Sequence, residues 1–467
     1  MTQFTHPASC SAARLASRAV AHVAAFPALA CFALAALAPG TRAAAQTPVD
    51  SALAAYIAAI RAVDSHAHPM RPIAPGAPAD SEFDALPLDA IPPFLLPWRL
   101  RVENPEWRTA QRALYGFAAA DTGAAFREAL KEATGRVARE QGERFPEWVL
   151  DQTGIEIMLA NRIALGPGLA PPRFRWVSFA DPLLLPLDTR AEAARSPDTR
   201  SLYPKEAKLL RRYLRELGVA ALPPTLDAYV SRVVTPTLER QRRGGAVAIK
   251  FEAAYLRPLD FDDPDPAQAR RVYARYAAGG APTHAEYKAL QDFLFRVLAR
   301  EAGRLGMAVQ IHATGNFGGF YAARGSAPYL LEPAFNDSTL RRTTFVIVHG
   351  GWPLVLQTDA MLAKPNVYTD VSAMALFLEP AQLAGVLRQW LAEWPEKVLF
   401  GTDAFDGGPE QGWAEVAWLG TTSVRRALAM ALTGMMRDGA ITRERAEALA
   451  RMVMRGNASV AYRLGLR

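Results

Sequence analysis

Four histidines and one aspartate each stand directly after a short apolar segment of the sequence. They are His66, His68, His312, His349 and Asp403. Imidazole nitrogens and carboxylate oxygens, without sulfur, suit Zn²⁺ and are also used by manganese, iron and nickel sites. A divalent ion held by such ligands polarises a carbonyl group and activates water near neutral pH. These residue types therefore predict a divalent metal site, with Zn²⁺ as the best match, that performs hydrolysis.

The spacing of His66 and His68 indicates that both bind one ion, because residues two apart on a strand share a face. Asp403 is the predicted third ligand, and as a general base it would take a proton from water and pass it to the leaving group. His312 and His349 would complete a second ion. With a single ion, His349 would instead polarise the substrate or transfer a proton. The alternative to a metal site is an accidental set of buried polar residues.

Lys250 follows another apolar segment, residues 246–249, and is the remaining candidate metal ligand. A lysine that points into a protein interior is costly unless it is paired or modified. Carboxylation by CO₂ would convert it into an anionic carbamate able to bridge two ions. The alternatives are an ion pair with a nearby acid or contact with an anionic substrate. Glu252 would share its face of the strand, as a ligand, a partner or part of the wall.

Three further residues are candidates for contact with a small-molecule substrate. Arg162 follows the apolar residues 154–160, and Tyr255 and Arg257 come shortly after Lys250. A guanidinium group can bind a carboxylate through two parallel hydrogen bonds. We therefore expect a substrate that carries a carboxylate or another anionic group.

Bringing these residues together requires a particular arrangement of strands. Short apolar segments recur with helical stretches between them, at residues 62–64, 154–160, 174–179, 246–249, 308–311, 344–348, 367–369 and 397–400. Strand–helix alternation repeated in this way predicts a (β/α)₈ TIM barrel. In that fold the carboxyl ends of the strands form one rim, which carries the catalytic residues. An open doubly wound sheet is the alternative, although no G-x-G-x-x-G follows a strand.

Two of the connections between strands are long. Residues 69–153 and 181–245 would project at the active-site rim, where they are candidates for lids and substrate walls. Residues 440–467 resemble closing helices, and residues 46–467 are predicted to form a single domain.

The first 45 residues read as a secretory signal peptide. Arg14 and Arg18 precede an apolar run, and three alanines at 43–45 stand directly before Gln46. This pattern predicts cleavage after Ala45 and a periplasmic or extracellular enzyme. A retained N-terminal anchor is the alternative. The leader contains both cysteines of the sequence, so the mature chain can form no disulfide.

Net charge argues against nucleic acid as a partner. The formal charge is +7, and removal of three leader arginines from 53 basic residues leaves 50 − 46 = +4. Basic and acidic residues alternate along predicted helices, which is typical of a solvated surface. After signal cleavage we expect no membrane association, and a homodimer is compatible with the predicted fold.

The motifs resemble those of the amidohydrolase superfamily. They are DSHAH at 64–68, IH at 311–312, VHGG at 348–351, FGTD at 400–403 and RGNA at 455–458. The resemblance runs from about Ala62 to Leu466, without the long connections, and implies a metal-dependent hydrolase of an amide, ester or lactone.

The Gly-Gly-Trp-Pro segment after His349 and the Gly-Thr-Asp triplet resemble the amidohydrolase-related branch of that superfamily. This branch includes hydrolases, lactonases and decarboxylases, many of which use a single ion. In members with two ions the fourth strand supplies a carboxylated lysine, which Lys250 would match. A decarboxylase is therefore the alternative function, and a non-catalytic metal-binding barrel is a third.

Overall fold

Eight parallel strands form one sheet in sequence order. The structure is a computed structural model and describes residues 49–73, 78–86, 92–117, 123–315, 319–408 and 410–466. The strands are β1 Ala62–Ala67, β2 Ile155–Asn161, β3 Phe174–Phe179, β4 Ala246–Phe251, β5 Ala308–His312, β6 Phe345–Val348, β7 Val367–Asp370 and β8 Val398–Leu399. They coincide with the predicted segments to within a few residues.

The sheet closes on itself between its first and last strands. Ser65 of β1 donates its backbone N–H to the carbonyl of Phe400 at 3.0 Å, and His68 donates to the carbonyl of Ala404 at 2.7 Å. These bonds join the two ends of the sheet and complete a barrel. The TIM-barrel prediction is confirmed, and the open doubly wound alternative is wrong.

Helices surround the barrel and fill its connections. They are α1 Ser51–Ala59, α2 Pro105–Tyr115, α3 Gly123–Gln141, α4 Phe145–Thr153, α5 Asp181–Leu184, α6 Arg190–Arg195, α7 Tyr203–Glu216, α8 Leu226–Tyr229, α9 Thr235–Arg243, α10 Pro266–Tyr276, α11 His284–Arg304, α12 Glu332–Phe335, α13 Val355–Leu362, α14 Met374–Phe377, α15 Pro380–Glu393, α16 Trp413–Arg437, α17 Arg443–Arg451 and α18 Asn457–Ala461. Short π-helical turns join α8 to α9 and α17 to α18.

Alternate residues of the strands belong to different apolar clusters. In β6, Ile347 packs in the large core, whereas Val346 and Val348 belong to a smaller cluster. Tyr462, which follows α18, is part of that smaller cluster. This alternation is expected of a barrel strand, whose successive side chains face opposite sides of the sheet.

The start of α11 shows how local sequence sets an element. The Thr283 Oγ1 atom accepts a hydrogen bond from the Glu286 N–H at 3.3 Å, and the Glu286 carboxylate accepts from the Thr283 N–H at 2.9 Å. This reciprocal capping begins the helix where the sequence predicts it. Gly306, with φ of +69°, lies between the end of α11 and the start of β5.

The two long connections are largely helical. Residues 69–153 contain α2 to α4, and residues 181–245 contain α5 to α9. The described residues from Val49 onward form one compact unit. None of the helices in the described ranges combines the length and apolar character needed to cross a bilayer. The predicted signal peptide lies outside the described residues.

Candidate metal centre

Five of the predicted site residues lie at the carboxyl rim of the barrel. His66 belongs to β1, Lys250 to β4 and His312 to the end of β5. His349 follows β6 directly, and Asp403 lies just beyond β8. The four basic side chains are buried, whereas the Asp403 side chain keeps 17% of its surface exposed. Asp403 is therefore the member of this group that solvent or a substrate can reach most directly.

His66, His349 and Asp403 form a group of metal-ligand type. One ligand atom of each lies within 4.8 Å of the others. The His66 Nε2 atom is 3.3 Å from Asp403 Oδ1, and the His349 Nδ1 atom is 3.9 Å from Asp403 Oδ2. Two imidazoles and a carboxylate at such separations fit a divalent ion, because they supply the donors that zinc and related metals prefer.

The backbone of this group is held in an uncommon conformation. His349 has φ of +66° and Asp403 has φ of +55°, in the left-handed region that side chains other than glycine rarely adopt. Asp403 donates its N–H to the carbonyl of His66 at 2.8 Å, which fixes the end of β8 against β1. Such backbone strain is typical of functional sites, where the surroundings hold a residue in place.

Side-chain amide groups contact the Nδ1 atom of His66 and orient its ring. Its Nδ1 atom lies 3.0 Å from the Gln310 amide oxygen and 3.0 Å from the Asn161 amide nitrogen. In the tautomer whose Nδ1–H donates to Gln310, the Nε2 lone pair faces Asp403. Burial lowers the pKa of His66 well below its usual value, and the positive charges of Lys250 and His68 lower it further. The neutral ring is the form that binds a metal.

His349 takes part in a line of hydrogen bonds. Its Nδ1 atom lies 2.9 Å from Ser372 Oγ, and the Ser372 hydroxyl donates to Asp370 at 2.5 Å. Its Nε2 atom lies 3.1 Å from His312 Nδ1. Burial lowers the pKa of His349 well below its usual value, and burial raises that of Asp370 to about 6. Short hydrogen bonds thus connect Asp370, Ser372, His349 and His312 in one line.

Lys250 points into this site. It is fully buried, and its Nζ atom lies 3.2 Å from His66 Nε2. Among the described residues, no carboxylate lies within ion-pair distance of Nζ, so the simple acid-paired alternative is not what the structure contains. The carboxylated form stays a prediction.

His68 lies beside His66 but turns toward a different set of side chains. The two rings meet edge to face with centroids 5.1 Å apart. The His68 Nε2 atom is 3.8 Å from Asp403 Oδ1, whereas Nδ1 is 2.8 Å from Asp84 Oδ2. The structure thus brings His68 close to the predicted ion but groups it more tightly with Asp84 and Glu252.

His312 lies at the edge of the group. Its ring packs on Tyr255, with centroids 4.2 Å apart, and its Nε2 atom is buried without a hydrogen-bond partner. Burial and the charge of Lys250 lower the pKa of His312 well below its usual value. Tyr255, predicted to contact substrate, is therefore at the site.

The two arginines that were predicted to bind substrate donate their hydrogen bonds to other protein groups instead. Arg162 is fully buried, and its guanidinium donates to Asp80 at 2.8 Å and to the carbonyls of Pro69 and Ala164. Arg257 donates to Gln291 and Asp292. Their hydrogen-bonding capacity is used within the protein, so both side chains have a structural role. Arg162 fixes the segment around Pro69 and Asp80, and Arg257 binds to α11.

Several site residues were not predicted from the sequence. Gln310 and Ser372 orient the histidines, and Asp64 accepts hydrogen bonds from the backbone and hydroxyl of Thr402 at 3.0 and 2.5 Å. Burial raises the pKa of Asp64 to about 7. Asp370 ends β7, so the rule that found Asp403 could also have found it. Asp84 and Glu206 lie in the long connections, where no motif marks them.

The sequence model of the amidohydrolases matches residues 63–464 of the chain. The chain belongs to the amidohydrolase family. The matched segment contains every residue of the His66, His349 and Asp403 group. Family membership together with this group identifies the chain as a metal-dependent enzyme of the amidohydrolase type that uses a divalent ion.

Three solved structures are similar in fold to this chain. A protein from Lactobacillus casei, provisionally assigned as a metal-dependent hydrolase, has 14% identity and a TM-score of 0.55, with 90% of this chain and 100% of that chain covered. Glucuronate isomerase from Caulobacter crescentus has 14% identity and a TM-score of 0.56, with 89% and 94% covered. Uronate isomerase from Thermotoga maritima has 15% identity and a TM-score of 0.53, with 77% and 79% covered. At these identities the likeness shows the barrel fold. None of the curated proteins matches the chain.

Proposed function

We propose that this amidohydrolase is a hydrolase that cleaves an amide, ester or lactone bond of a small molecule with a metal-activated water. The observation that carries the proposal is the group formed by His66, His349 and Asp403, whose ligand atoms lie within 4.8 Å of one another. We propose Zn²⁺ as the ion, since the donors are nitrogen and oxygen and the mature sequence offers no thiolate.

The chemistry that a divalent ion supplies at these ligands is Lewis acidity toward a water molecule and a carbonyl oxygen. Asp403 is the proposed general base, because it is the partly exposed acid of the group. Its carboxylate takes the proton that the attacking water loses as the new C–O bond forms. It then delivers that proton to the departing nitrogen or oxygen as the scissile bond breaks.

Hydrogen bonds are proposed to hold His349 and His312 in place at the site. The hydrogen-bonded line from Asp370 through Ser372 to His349 keeps the His349 ring in one orientation. His312 then presents its unpartnered Nε2 atom as a hydrogen-bonding group beside Tyr255. Tyr255 forms part of the wall that excludes water around the reacting carbonyl.

Lys250 is proposed to be carboxylated in the active enzyme. An ammonium group 3.2 Å from His66 Nε2 would repel a cation at that nitrogen. Loss of one proton from the Lys250 ammonium gives the free amine. Addition of CO₂ to that amine, with loss of a second proton, gives an anionic carbamate with two oxygen donors. The modified side chain would then support a cation rather than oppose it.

Activity on a panel of amides, esters and lactones tests the proposed reaction. The Zn²⁺-loaded mature chain is expected to release an amine, alcohol or acid from one of these classes. Asp403→Asn should lower the rate by a factor of about 10² to 10⁴, the usual contribution of a general acid–base group. The matched control is Glu192→Gln, because the buried Glu192 carboxylate pairs with His284 and with none of the proposed metal ligands.

Other reactions would give other products. Release of CO₂ as the reaction proceeds would identify a decarboxylase. Isomerisation of a uronate would point to the activity for which two proteins of the same fold are named. Unchanged hydrolysis by Asp403→Asn would contradict the role of Asp403.

We propose that the enzyme acts outside the cytoplasm. The pattern of a basic start, an apolar run and the small residues at 43–45 supports this proposal. Expression of the whole chain in a bacterial host should give a periplasmic protein whose first residue is Gln46. Retention in the cytoplasm with an intact leader would contradict it.

A further inference from the structure

His68 has a carboxylate beside each of its ring nitrogens. The Nδ1 atom lies 2.8 Å from Asp84 Oδ2, and the Nε2 atom lies 3.8 Å from Asp403 Oδ1. We propose that Asp84 is a positioning residue of the metal centre, which holds the His68 ring so that Nε2 faces the ion bound at Asp403. This inference rests on the proposed metal site, with His68 as a ligand of that one ion, and does not depend on which bond the enzyme cleaves.

The two nitrogens of a metal-binding imidazole have different tasks. One binds the ion, and the other usually contacts a carboxylate or a carbonyl, which fixes the tautomer and raises the basicity of the metal-binding nitrogen. In the tautomer that carries its hydrogen on Nδ1, the His68 ring has its N–H on the side of Asp84 and its Nε2 lone pair on the side of Asp403. His66 has the neutral Gln310 amide at the corresponding atom, so His68 has the more strongly polarising partner of the two.

The Asp84 carboxylate is held in place and is largely shielded from water. Its Oδ1 atom accepts the Leu86 N–H at 3.1 Å, which leaves Oδ2 for His68. The exposed fraction is 10% for the Asp84 side chain and 9% for the His68 side chain. Because a charge acts more strongly where water is largely excluded, the carboxylate can influence the ring and, through the ring, the ion.

Two ion pairs hold the segment that carries Asp84 against the barrel. Asp80 pairs with Arg162, which follows β2, at 2.8 Å, and both of these side chains are fully buried. Glu82 pairs with Arg212 of α7 at 2.7 Å. This part of the long connection between β1 and β2 is therefore fixed at two points, which gives the Asp84 carboxylate a rigid support.

The segment around Asp84 should respond to the metal, because coupling between two sites acts in both directions. A contact that strengthens zinc binding through His68 is itself stabilised by bound zinc to the same extent. We therefore expect Zn²⁺ to slow amide hydrogen exchange in residues 78–86 of the unmodified protein, and to slow it less in Asp84→Asn. If Asp84 served only the fold of its connection, exchange in this segment would not change with zinc.

A double-mutant cycle on zinc affinity separates positioning through His68 from a general effect of charge. The mature chain is stripped with a chelator, and its Kd for Zn²⁺ is measured by calorimetric titration. Asp84→Asn should raise the Kd by about 10- to 100-fold, the usual cost of losing such a partner. In the His68→Ala background the same substitution should leave the Kd unchanged. Glu192→Gln, which removes a carboxylate 2.9 Å from the unrelated His284, should bind zinc as the unmodified protein does.

Other outcomes for the Asp84 variants would overturn the inference. An unchanged Kd in folded Asp84→Asn would do so and would leave the proposed hydrolase intact, since the other ligands would still hold the ion. An equal rise in Kd with and without His68 would also do so, because Asp84 would then act on the ion by charge alone. Absence of zinc binding in the unmodified protein would overturn the metal centre and this inference together. If Asp84→Asn fails to fold, Asp84→Ser takes its place, because its hydroxyl can still accept the Leu86 N–H.

Discussion

The Gln310 amide oxygen lies 3.0 Å from the Nδ1 atom of His66. Gln310 is in turn fixed by its own amide nitrogen, which donates to the Ser65 carbonyl at 2.7 Å and to the Tyr462 hydroxyl at 2.9 Å. Gln310 of β5, held by the residue that follows α18, thus helps to set the orientation of a ring on β1. The direction in which His66 Nε2 points therefore depends on contacts between strands that only the closed barrel brings together.

Replacing Gln310 by methionine should weaken metal binding while the fold stays intact. The side chain keeps a similar volume but no longer accepts the Nδ1–H of His66, so the ring loses its fixed tautomer and direction. Loss of such a supporting hydrogen bond usually costs about 10- to 100-fold in metal affinity. Calorimetric titration of the stripped protein with Zn²⁺ measures the Kd. Tyr462→Phe, which leaves the His66 contact in place, should have a smaller effect, and equal affinities in all three proteins would argue against this role.

Lys250→Ala should lose metal, and small carboxylic acids should restore it. The variant has no amine to carboxylate, so the negative charge beside His66 is absent. A short-chain carboxylate can enter the space left by the side chain and supply oxygen donors. Zinc content and activity measured with and without added propionate provide the readout. Full metal content in Lys250→Ala without any acid would mean that Lys250 acts as an unmodified amine.

The Arg162–Asp80 pair should matter for stability and not for substrate affinity. Both side chains are fully buried and lie 2.8 Å apart. Arg162→Met removes the closer of two arginines from the buried Asp80 carboxylate and leaves Arg71 at 3.4 Å. The loss should therefore be smaller than the about 3–5 kcal/mol that a fully unpaired buried charge usually costs. We expect a lower Tm with an unchanged KM for the substrate found in the activity panel. The double variant Arg162→Met/Asp80→Leu should recover part of the Tm. A raised KM at unchanged Tm would instead support contact between Arg162 and substrate.

Much of the barrel could be predicted because a buried parallel strand is apolar along its length. The polar residue that ends each apolar segment then marks the rim, which is why His66, His312, His349 and Asp403 were found. The partners of Arg162 could not be read in the same way, since Asp80 lies in a connection whose path depends on tertiary packing. For the same reason nothing in the sequence indicated that Asp84 would lie against His68.

The stability of the protein should depend on pH through Glu415, which is not one of the proposed metal ligands. Burial raises the pKa of Glu415 from 4.5 to about 7. Between these values the folded chain holds a proton that the unfolded chain has lost. This contribution to stability is full below pH 4.5 and disappears as the pH rises through 7. Its size is at most about 3 kcal/mol.

Glu415→Gln should abolish that dependence. The amide cannot ionise, so the variant should gain stability relative to the unmodified protein as the pH rises from 4.5 to 8. Chemical denaturation at both pH values measures the difference in free energy of unfolding. Glu192→Gln serves as the control. A difference that stays the same at both pH values would show that Glu415 does not titrate in this range.

Crystals of the Zn²⁺-loaded mature chain, measured on both sides of the zinc absorption edge, test the central claim most directly. The account predicts an anomalous peak at about 2.1 Å from ligand atoms of His66, His349 and Asp403. The same map from crystals of Asp403→Asn should show that peak weakened or lost. A fully loaded crystal with no peak among these three side chains would contradict the assignment of this group as the metal centre.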